Sequence, residues 1–300
     1  MEKCNLCPRG CNTSRSDGKK GYCGQTDKIK IARAAAHYWE EPVISGENGS
    51  GTIFFSGCTL GCVYCQNNEI SHGGKGKEVT SDELTEIFFR LKEDGCHNIN
   101  LVTADHFMPF IIPAIDKAKN AGFDLPFILN TGGYLTGEFV DSLRGYIDIF
   151  LTDMKYLDEN IAQRYSKAKD YPLYAKESLA RMVKMHPVPE YDDDGMMRSG
   201  VVVRHLVMPG LVDESKKVLH YLYSTYGDSI IYSIMGQYTP LSEHLADYPE
   251  IDRRITEEEY DEVTDYAWDI GIEDAYIQLP GSDTEDYIPQ FDLTGTGGEL

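Results

Sequence analysis

This 300-residue sequence predicts an α/β fold built on a parallel barrel, closed or partial, with a small cysteine-bearing cap in front of it. Three observations carry that reading. From about residue 50 onward, short apolar runs alternate six times with longer amphipathic segments, the pattern of βα repeats. No dinucleotide-type glycine fingerprint follows the first strand, which turns the alternation away from a nucleotide-binding open sheet and toward a (β/α)6 TIM-like barrel. Residues 1–30 are polar, rich in Gly, Lys, Arg and Asn, and lack apolar periodicity.

Taken in order, the expected strands are 52–55, 98–103, 126–130, 147–152, 200–207 and 229–235. Between them lie helical segments at 81–94, 109–121, 136–144, 174–185 and 213–226. Ser81-Asp82-Glu83-Leu84 places capping residues before an apolar run, a good helix start. A last helix is expected over 256–271 and a final strand over 275–279. The chain then divides into a Cys-rich metal-binding segment (1–45), a barrel core (46–280) and an acidic, Gly/Thr-rich tail (281–300) expected to be loosely ordered. There is no solenoid-type repeat.

Composition narrows the function. An apolar fraction of 41% is enough for a real core. A formal charge of −21 repels phosphate backbones, so no nucleic acid is expected as a partner. No apolar run reaches the length of a bilayer span, and Met1-Glu2-Lys3-Cys4-Asn5 does not resemble a signal peptide, so no membrane partner is expected either. Eight cysteines grouped in metal-type motifs fit a reducing cytoplasm better than a disulfide scaffold.

The most informative run is Ser56-Gly57-Cys58-Thr59-Leu60-Gly61-Cys62-Val63-Tyr64-Cys65-Gln66-Asn67, directly after the first strand. Cys58, Cys62 and Cys65 stand at C-x3-C-x2-C spacing. Three thiolates can hold three irons of a 4Fe–4S cube and leave the fourth open to an external ligand. Gly57 and Gly61 are read as letting the backbone close around that inorganic core, and Tyr64 as offering an aromatic face to whatever sits on the open iron. A zinc site wants four ligands, and a disulfide set would leave one thiol over. A second set, Cys4, Cys7, Cys11 and Cys23, forms C-x2-C-x3-C-x11-C. It suits a structural zinc or a second, fully ligated cluster, and spacing does not separate the two. Cys96 reads as a small buried residue.

In a barrel, chemistry gathers where strands end and loops begin. Those ends carry Thr103-Ala104-Asp105-His106, Asn130-Thr131-Gly132-Gly133, Thr152-Asp153-Met154-Lys155, Arg204-His205 and Met235-Gly236-Gln237-Tyr238. Asp153 and Lys155 alternate along one strand end and share a face. Arg204, inside an otherwise apolar strand, must pair with a carboxylate, of a ligand or of the protein itself. His106 and His205 are candidates for hydrogen bonding to a substrate.

The cysteine loop resembles the signature of the radical S-adenosylmethionine (SAM) superfamily. That resemblance implies a site-differentiated 4Fe–4S cluster whose open iron chelates the amino and carboxylate groups of SAM. It also implies reductive cleavage of SAM to a 5′-deoxyadenosyl radical that abstracts hydrogen. Asp153-Met154-Lys155 and Val203-Arg204-His205-Leu206-Val207-Met208-Pro209-Gly210 look like motifs of the glycyl-radical-enzyme activases, the pyruvate formate-lyase-activating type. By that likeness Arg204 meets the SAM carboxylate. Asp153 and Lys155 lie near SAM and a monovalent cation, and Tyr64, Asn130, Thr131 and Gln237 contribute to cofactor binding. Departures are plain: Asn130-Thr131 stands where activases have Asp-Thr, Thr103-Ala104-Asp105-His106 replaces Gly-Gly-Glu-Pro, and Gln66-Asn67-Asn68 replaces the Asn-Pro-Glu flank.

The pattern is nearest the pyruvate formate-lyase-activating-enzyme-related subfamily. Its likeness extends to Cys4-Asn5-Leu6-Cys7-Pro8-Arg9-Gly10-Cys11 and Gly21-Tyr22-Cys23-Gly24, and to His37-Tyr38-Trp39-Glu40-Glu41-Pro42 and Tyr165-Ser166. The resemblance implies an electron donor such as flavodoxin or ferredoxin and a substrate that includes the glycine of a glycyl-radical enzyme. The alternatives are a radical SAM enzyme modifying a small molecule or peptide, and a non-catalytic iron–sulfur electron-transfer protein.

Overall fold

The computed structural model describes residues 3–241, 243–278 and 289–297. After the cap the chain forms β1 (Ile29–His37), a one-turn helix α1 (Pro42–Ser45), β2 (Ser50–Phe55), the short α2 (Asn68–Ser71), β3 (Lys77–Val79) and α3 (Ser81–Glu93). It continues with β4 (Ile99–Val102), α4 (Met108–Asn120), β5 (Phe127–Thr131), α5 (Gly137–Ser142) and β6 (Ile149–Asp153). Next come α6 (Glu159–Ser166), α7 (Tyr171–Met185), β7 (Glu190–Tyr191), β8 (Met197–Leu206), α8 (Val212–Tyr226), β9 (Ile231–Met235), α9 (Glu257–Asp269) and β10 (Ala275–Ile277).

One sheet takes the order β10-β9-β8-β6-β5-β4-β2-β1-β3, with β7 paired to β8. Along that order neighbours from β10 to β2 run parallel, while β1 is antiparallel to both β2 and β3, and β7 is antiparallel to β8. Among the described residues β3 and β10 do not pair with each other, so the barrel is partial, as expected. The six expected strands fall on β2, β4, β5, β6, β8 and β9. The expected helices fall on α3, α4, α5, α7, α8 and α9. The final strand forms over Ala275–Ile277, and Leu279 lies outside the described residues. The cap of α3 sits one residue earlier than Ser81: Thr80 accepts from the Glu83 amide and donates its own amide to the Glu83 carboxylate.

Strand alternation divides the core in two. Ile53, Phe55, Ile99, Leu101, Phe127, Leu129, Phe150, Val201 and Val203 are buried against the helices. The opposite face points into the lumen, where Ile128, Ile149, Leu151, Met197 and Val202 form a second cluster. Burial on both faces is why these strands read as continuous apolar runs. Ile44 of α1 joins that lumenal cluster and is fully buried. Pairing of His37 with Ser50 sets the end of β1 beside the start of β2. The segment after β1 therefore plugs the end of the barrel opposite the cysteine loop.

The segment expected to form the cap, residues 1–45, thus splits: β1 belongs to the barrel sheet and α1 to its lumen. Residues 281–288 and 298–300 of the expected loose tail lie outside the described residues, while 289–297 are docked rather than loose. The amide of Leu293 donates to the Ala32 carbonyl and that of Ala34 to the Thr294 carbonyl, both on β1. Phe291 is buried with Ala32, Phe54, Ile70 and Val102.

Candidate active site

The cysteine loop leaves β2 at Phe55 and is held from two sides. The amides of Gly61 and Val63 donate to the carbonyls of Ser166 and Tyr165 at the end of α6. On its other side lies the cap. Gly57 has φ +86°, and a Cβ there would stand 2.4 Å from the Cys23 carbonyl oxygen. Gly57 and Gly61 are thus required by the packing of protein on protein, Gly61 facing Tyr22, rather than by an inorganic core alone. Arg9 completes the clamp, donating to the carbonyls of Thr59 at 2.9 Å and Lys167 at 2.6 Å while lying over the Tyr22 ring.

Cys58, Cys62 and Cys65 all face one cavity of about 450 Å³ that occupies the lumen. Cys62 Sγ lies 3.0 Å from Ser166 Oγ and Cys65 Sγ 3.3 Å from Ser71 Oγ. Burial pushes the Cys58 thiol well above its ordinary range, and the nearby Cys62 and Cys65 add to the shift. Three mutually close thiols on one wall, with hydroxyls beside two of the sulfurs, fit the donor set that a three-cysteine cluster requires. Among the described residues no group of three or more His, Cys, Asp and Glu side chains is gathered so as to hold a single metal ion. In the cap, burial pushes Cys7 up to about 12 against the pull of the Arg9 amide, with Cys11, Cys23 and Cys4 adding.

The cavity also brings together every residue expected at the cofactor: Tyr64, Asn130, Thr131, Asp153, Lys155, Arg204 and Gln237. Lys155 pairs with Asp153 at 2.5 Å. Burial pushes the Lys155 ammonium down, but Asp153 outweighs it and holds the proton firmly. The Tyr64 hydroxyl is 2.5 Å from that of Tyr156, so its polar end is anchored in the wall. Gln66 donates to the Gln237 carbonyl at 3.0 Å, tying the loop to the end of β9. Thr131 sits beside Asp105, whose carboxyl is pushed up to about 7 by burial against the Thr131 hydrogen bond.

Two candidates fall outside. His106 Nε2 meets the Ser56 carbonyl oxygen and His205 Nδ1 that of Met154, each buried away from the cavity. Period-two geometry explains His205, because Arg204 faces the lumen and its neighbour must face the helices.

Residues that sequence reasoning gave no role turn out to line the same cavity. Arg204 donates from Nε and Nη2 to both oxygens of Glu41 at 2.7 Å and also reaches Glu40. Glu40 Oε1 accepts from Asn100 at 2.9 Å and Asn130 at 3.4 Å. For Glu41, burial raises the carboxyl but Arg204 overrides it, so it stays below the usual range. The one available signal was the acidic pair Glu40-Glu41 set between Trp39 and Pro42.

Comparison with known proteins now decides the family. Residues 52–222 match the Radical SAM superfamily, more than half of the chain. The chain belongs to the radical SAM superfamily. A relative from Methanocaldococcus jannaschii, the uncharacterized protein MJ0674, is 29% identical over 275 residues, covering 89% of this chain and 75% of that one. The pyruvate formate-lyase-activating enzyme of Clostridium pasteurianum is 26% identical over 185 residues, covering 59% of this chain and 69% of its own length. Among solved structures, Streptococcus suis SuiB bound to its precursor peptide SuiA superposes with a TM-score of 0.50 at 10% identity. The alignment covers 74% of this chain and 47% of SuiB. SuiB bound to S-adenosylmethionine gives the same TM-score and identity, covering 75% and 48%. The chain thus spans about half the length of those structures, and the likeness is one of fold. No helix among the described residues is long and apolar enough to cross a membrane.

Proposed function

We propose that this radical SAM enzyme binds a 4Fe–4S cluster on Cys58, Cys62 and Cys65 and SAM in the adjoining lumen. When bound, the cluster supplies one electron to the SAM sulfonium, giving methionine and a 5′-deoxyadenosyl radical that takes a hydrogen atom from the substrate. The observation that carries the reading is a single cavity lined by those three thiols together with Asp153, Lys155 and Arg204. Lys155 and Asp153 form a neutral, oriented pair that offers SAM a donor and an acceptor side by side. Arg204 has Nε and Nη2 committed to Glu41 and Glu40, which leaves Nη1 as the nitrogen for the SAM carboxylate. Leu60, Val102 and Leu206 line the same space and keep water from the reactive carbon.

The glycine of a glycyl-radical enzyme is one substrate consistent with the relative from Clostridium pasteurianum. A small molecule or peptide is the rival. It is favoured by a cavity edged with Tyr38 and Trp39, each 55% exposed. The cap cysteines Cys4, Cys7, Cys11 and Cys23 are proposed to hold a second metal centre. An external donor of the flavodoxin or ferredoxin kind supplies the electron, in a reducing cytoplasm.

Anaerobically reconstituted, reduced protein given SAM should release 5′-deoxyadenosine, read by chromatography. Cys62→Ala should abolish release, whereas Cys7→Ala should retain it. Retention of cleavage by Cys62→Ala overturns the cluster assignment. A spin signal on adding a glycyl-radical enzyme separates the activase reading from its rival.

A further inference from the structure

The hydroxyl of Ser166 stands 3.0 Å from Cys62 Sγ, the shortest polar contact that any of the three loop sulfurs makes among the described residues. Cys65 Sγ has Ser71 Oγ at 3.3 Å, but that hydroxyl also faces His72 Nδ1 at 2.9 Å, so its one proton has a competing acceptor. Cys58 Sγ accepts from the Leu60 amide at 3.4 Å. Ser166 is fully buried and ends α6. Its carbonyl accepts from the Gly61 amide at 3.0 Å and the Tyr165 carbonyl from Val63 at 2.9 Å, so backbone bonds fix this serine to the cysteine loop. A serine inside a helix commonly bonds back to a carbonyl of its own preceding turn. Among the described residues Ser166 makes no such bond, and its hydroxyl is directed at Cys62 and Tyr156 instead.

The contact continues as a chain. Ser166 Oγ is 3.3 Å from the Tyr156 hydroxyl, which is 2.5 Å from that of Tyr64. Tyr156 is 1% exposed and Tyr64 8%, so water does not compete along it. Once Cys62 is bound to iron it carries no S–H, and that fixes the direction of every proton. Ser166 must donate to Cys62, its oxygen then accepts from Tyr156, and Tyr156 accepts from Tyr64. Three hydroxyls in series, each polarising the next, converge on one sulfur in a low-dielectric wall. A hydrogen bond to a ligand sulfur favours the reduced, more negative state of an iron–sulfur cluster over the oxidised one.

We propose that Ser166, backed by Tyr156 and Tyr64, is a positioning residue that raises the reduction potential of the cluster through Cys62. The cluster is thereby brought within easier reach of the external electron donor. This rests on the radical SAM reading, which makes Cys62 an iron ligand.

A redox titration of the full-length, anaerobically reconstituted protein, followed by electron paramagnetic resonance, tests the assignment. The signal followed is the one that SAM alters, which sets it apart from any cluster in the cap. At the parent's midpoint potential the ratio of reduced to oxidised cluster in Ser166→Ala should fall about tenfold, a shift of about 59 mV for a one-electron couple. Tyr156→Phe keeps the ring but removes the hydroxyl behind Ser166, and should shift the potential the same way by less. It decides the matter if Ser166→Ala fails to hold its cluster. A potential equal to or above the parent's in either variant overturns the proposal and leaves the radical SAM reading intact. So does loss of the cluster from both, which would give these hydroxyls a role in assembly rather than in potential. If the parent shows no SAM-responsive signal, or Cys62→Ala keeps one, the radical SAM reading falls and this inference with it.

Discussion

Arg204 grips Glu41 through two parallel hydrogen bonds, each 2.7 Å, across the lumen of the barrel. The two side chains come from β8 and from the segment that follows β1, so this fork ties the plug to the wall. Removing the guanidinium strands both Glu41 and Glu40 without a counter-charge, and breaking a buried pair in this way costs about 3–5 kcal/mol. Arg204→Met should therefore lower the midpoint of thermal unfolding by many degrees. Arg204→Lys keeps the charge but loses the planar fork, and should recover only part of the stability. An unchanged unfolding midpoint in Arg204→Met would show that the pair does not hold the plug.

The close approach of Gly57 to the cap leads to a second expectation. A methyl group at residue 57 meets the Cys23 carbonyl at 2.4 Å and the Gln25 side chain at 2.6 Å, in a backbone region that L-residues avoid. Strain of this kind costs about 1–3 kcal/mol and is relieved most cheaply if the cap lifts off the cysteine loop. Gly57→Ala should expose the segment before β1 to limited proteolysis while the barrel stays folded. A digestion pattern identical to that of the unmodified protein counts against the cap acting as a clamp on this loop.

Asp105 supplies a pH dependence. It is buried, its Oδ1 has no partner, and its carboxyl is pushed up to about 7 by burial, against the Thr131 hydrogen bond. In the unfolded chain an aspartate titrates near 3.9. Between those values the folded state binds more protons than the unfolded one, so stability falls as pH rises through that window. The loss is on the order of 3–4 kcal/mol at most between pH 4 and pH 7. Asp105→Asn removes the ionisation. Urea unfolding from pH 4.5 to 7.5 should give a flatter stability profile for the variant and a gain over the parent at the upper end. Parallel profiles for the two proteins would show that Asp105 ionises as easily in the fold as outside it.

What the sequence disclosed and what it hid follow from how local each feature is. The central strands declared themselves because both faces are buried, as Val201-Val202-Val203 shows. Cys58, Cys62 and Cys65 are close in sequence, and Asp153 with Lys155 follows from strand period alone. By contrast, β1 contains Ala32, Ala34, Ala35 and Ala36, which lack the branched bulk that marks a strand. Its conformation comes from pairing with β2 and β3. Glu40 and Glu41 acquire their role because the chain turns into the lumen after β1, a tertiary event that the acidic pair beside Trp39 does not by itself reveal. His205 was recoverable from period-two reasoning, since Arg204 already claimed the inward face.

The docked segment 289–297 gives the last expectation. Phe291 is 4% exposed, lies edge-on to Phe54 at 5.4 Å, and shares a cluster with Ala32, Ile70 and Val102. Gly295 has φ +68°, and a Cβ there would stand 1.9 Å from the Ala34 carbonyl oxygen. Arg33 bonds Asp292, and Arg90 reaches the Gly295 carbonyl at the same seam. Truncating a buried Phe typically costs about 3–5 kcal/mol, but a short docked segment can release alone before the barrel melts. Phe291→Ala and Gly295→Ala should therefore speed hydrogen exchange at the Ala34 and Leu293 amides, which bond across this seam, with little change at β5 or β6. The parent should protect both amides. If exchange at Ala34 stays slow in both variants, the segment is held by something other than Phe291 and the close approach of Gly295. If β5 and β6 exchange faster in step with Ala34, the segment belongs to the global folding unit of the barrel rather than to a strap along β1.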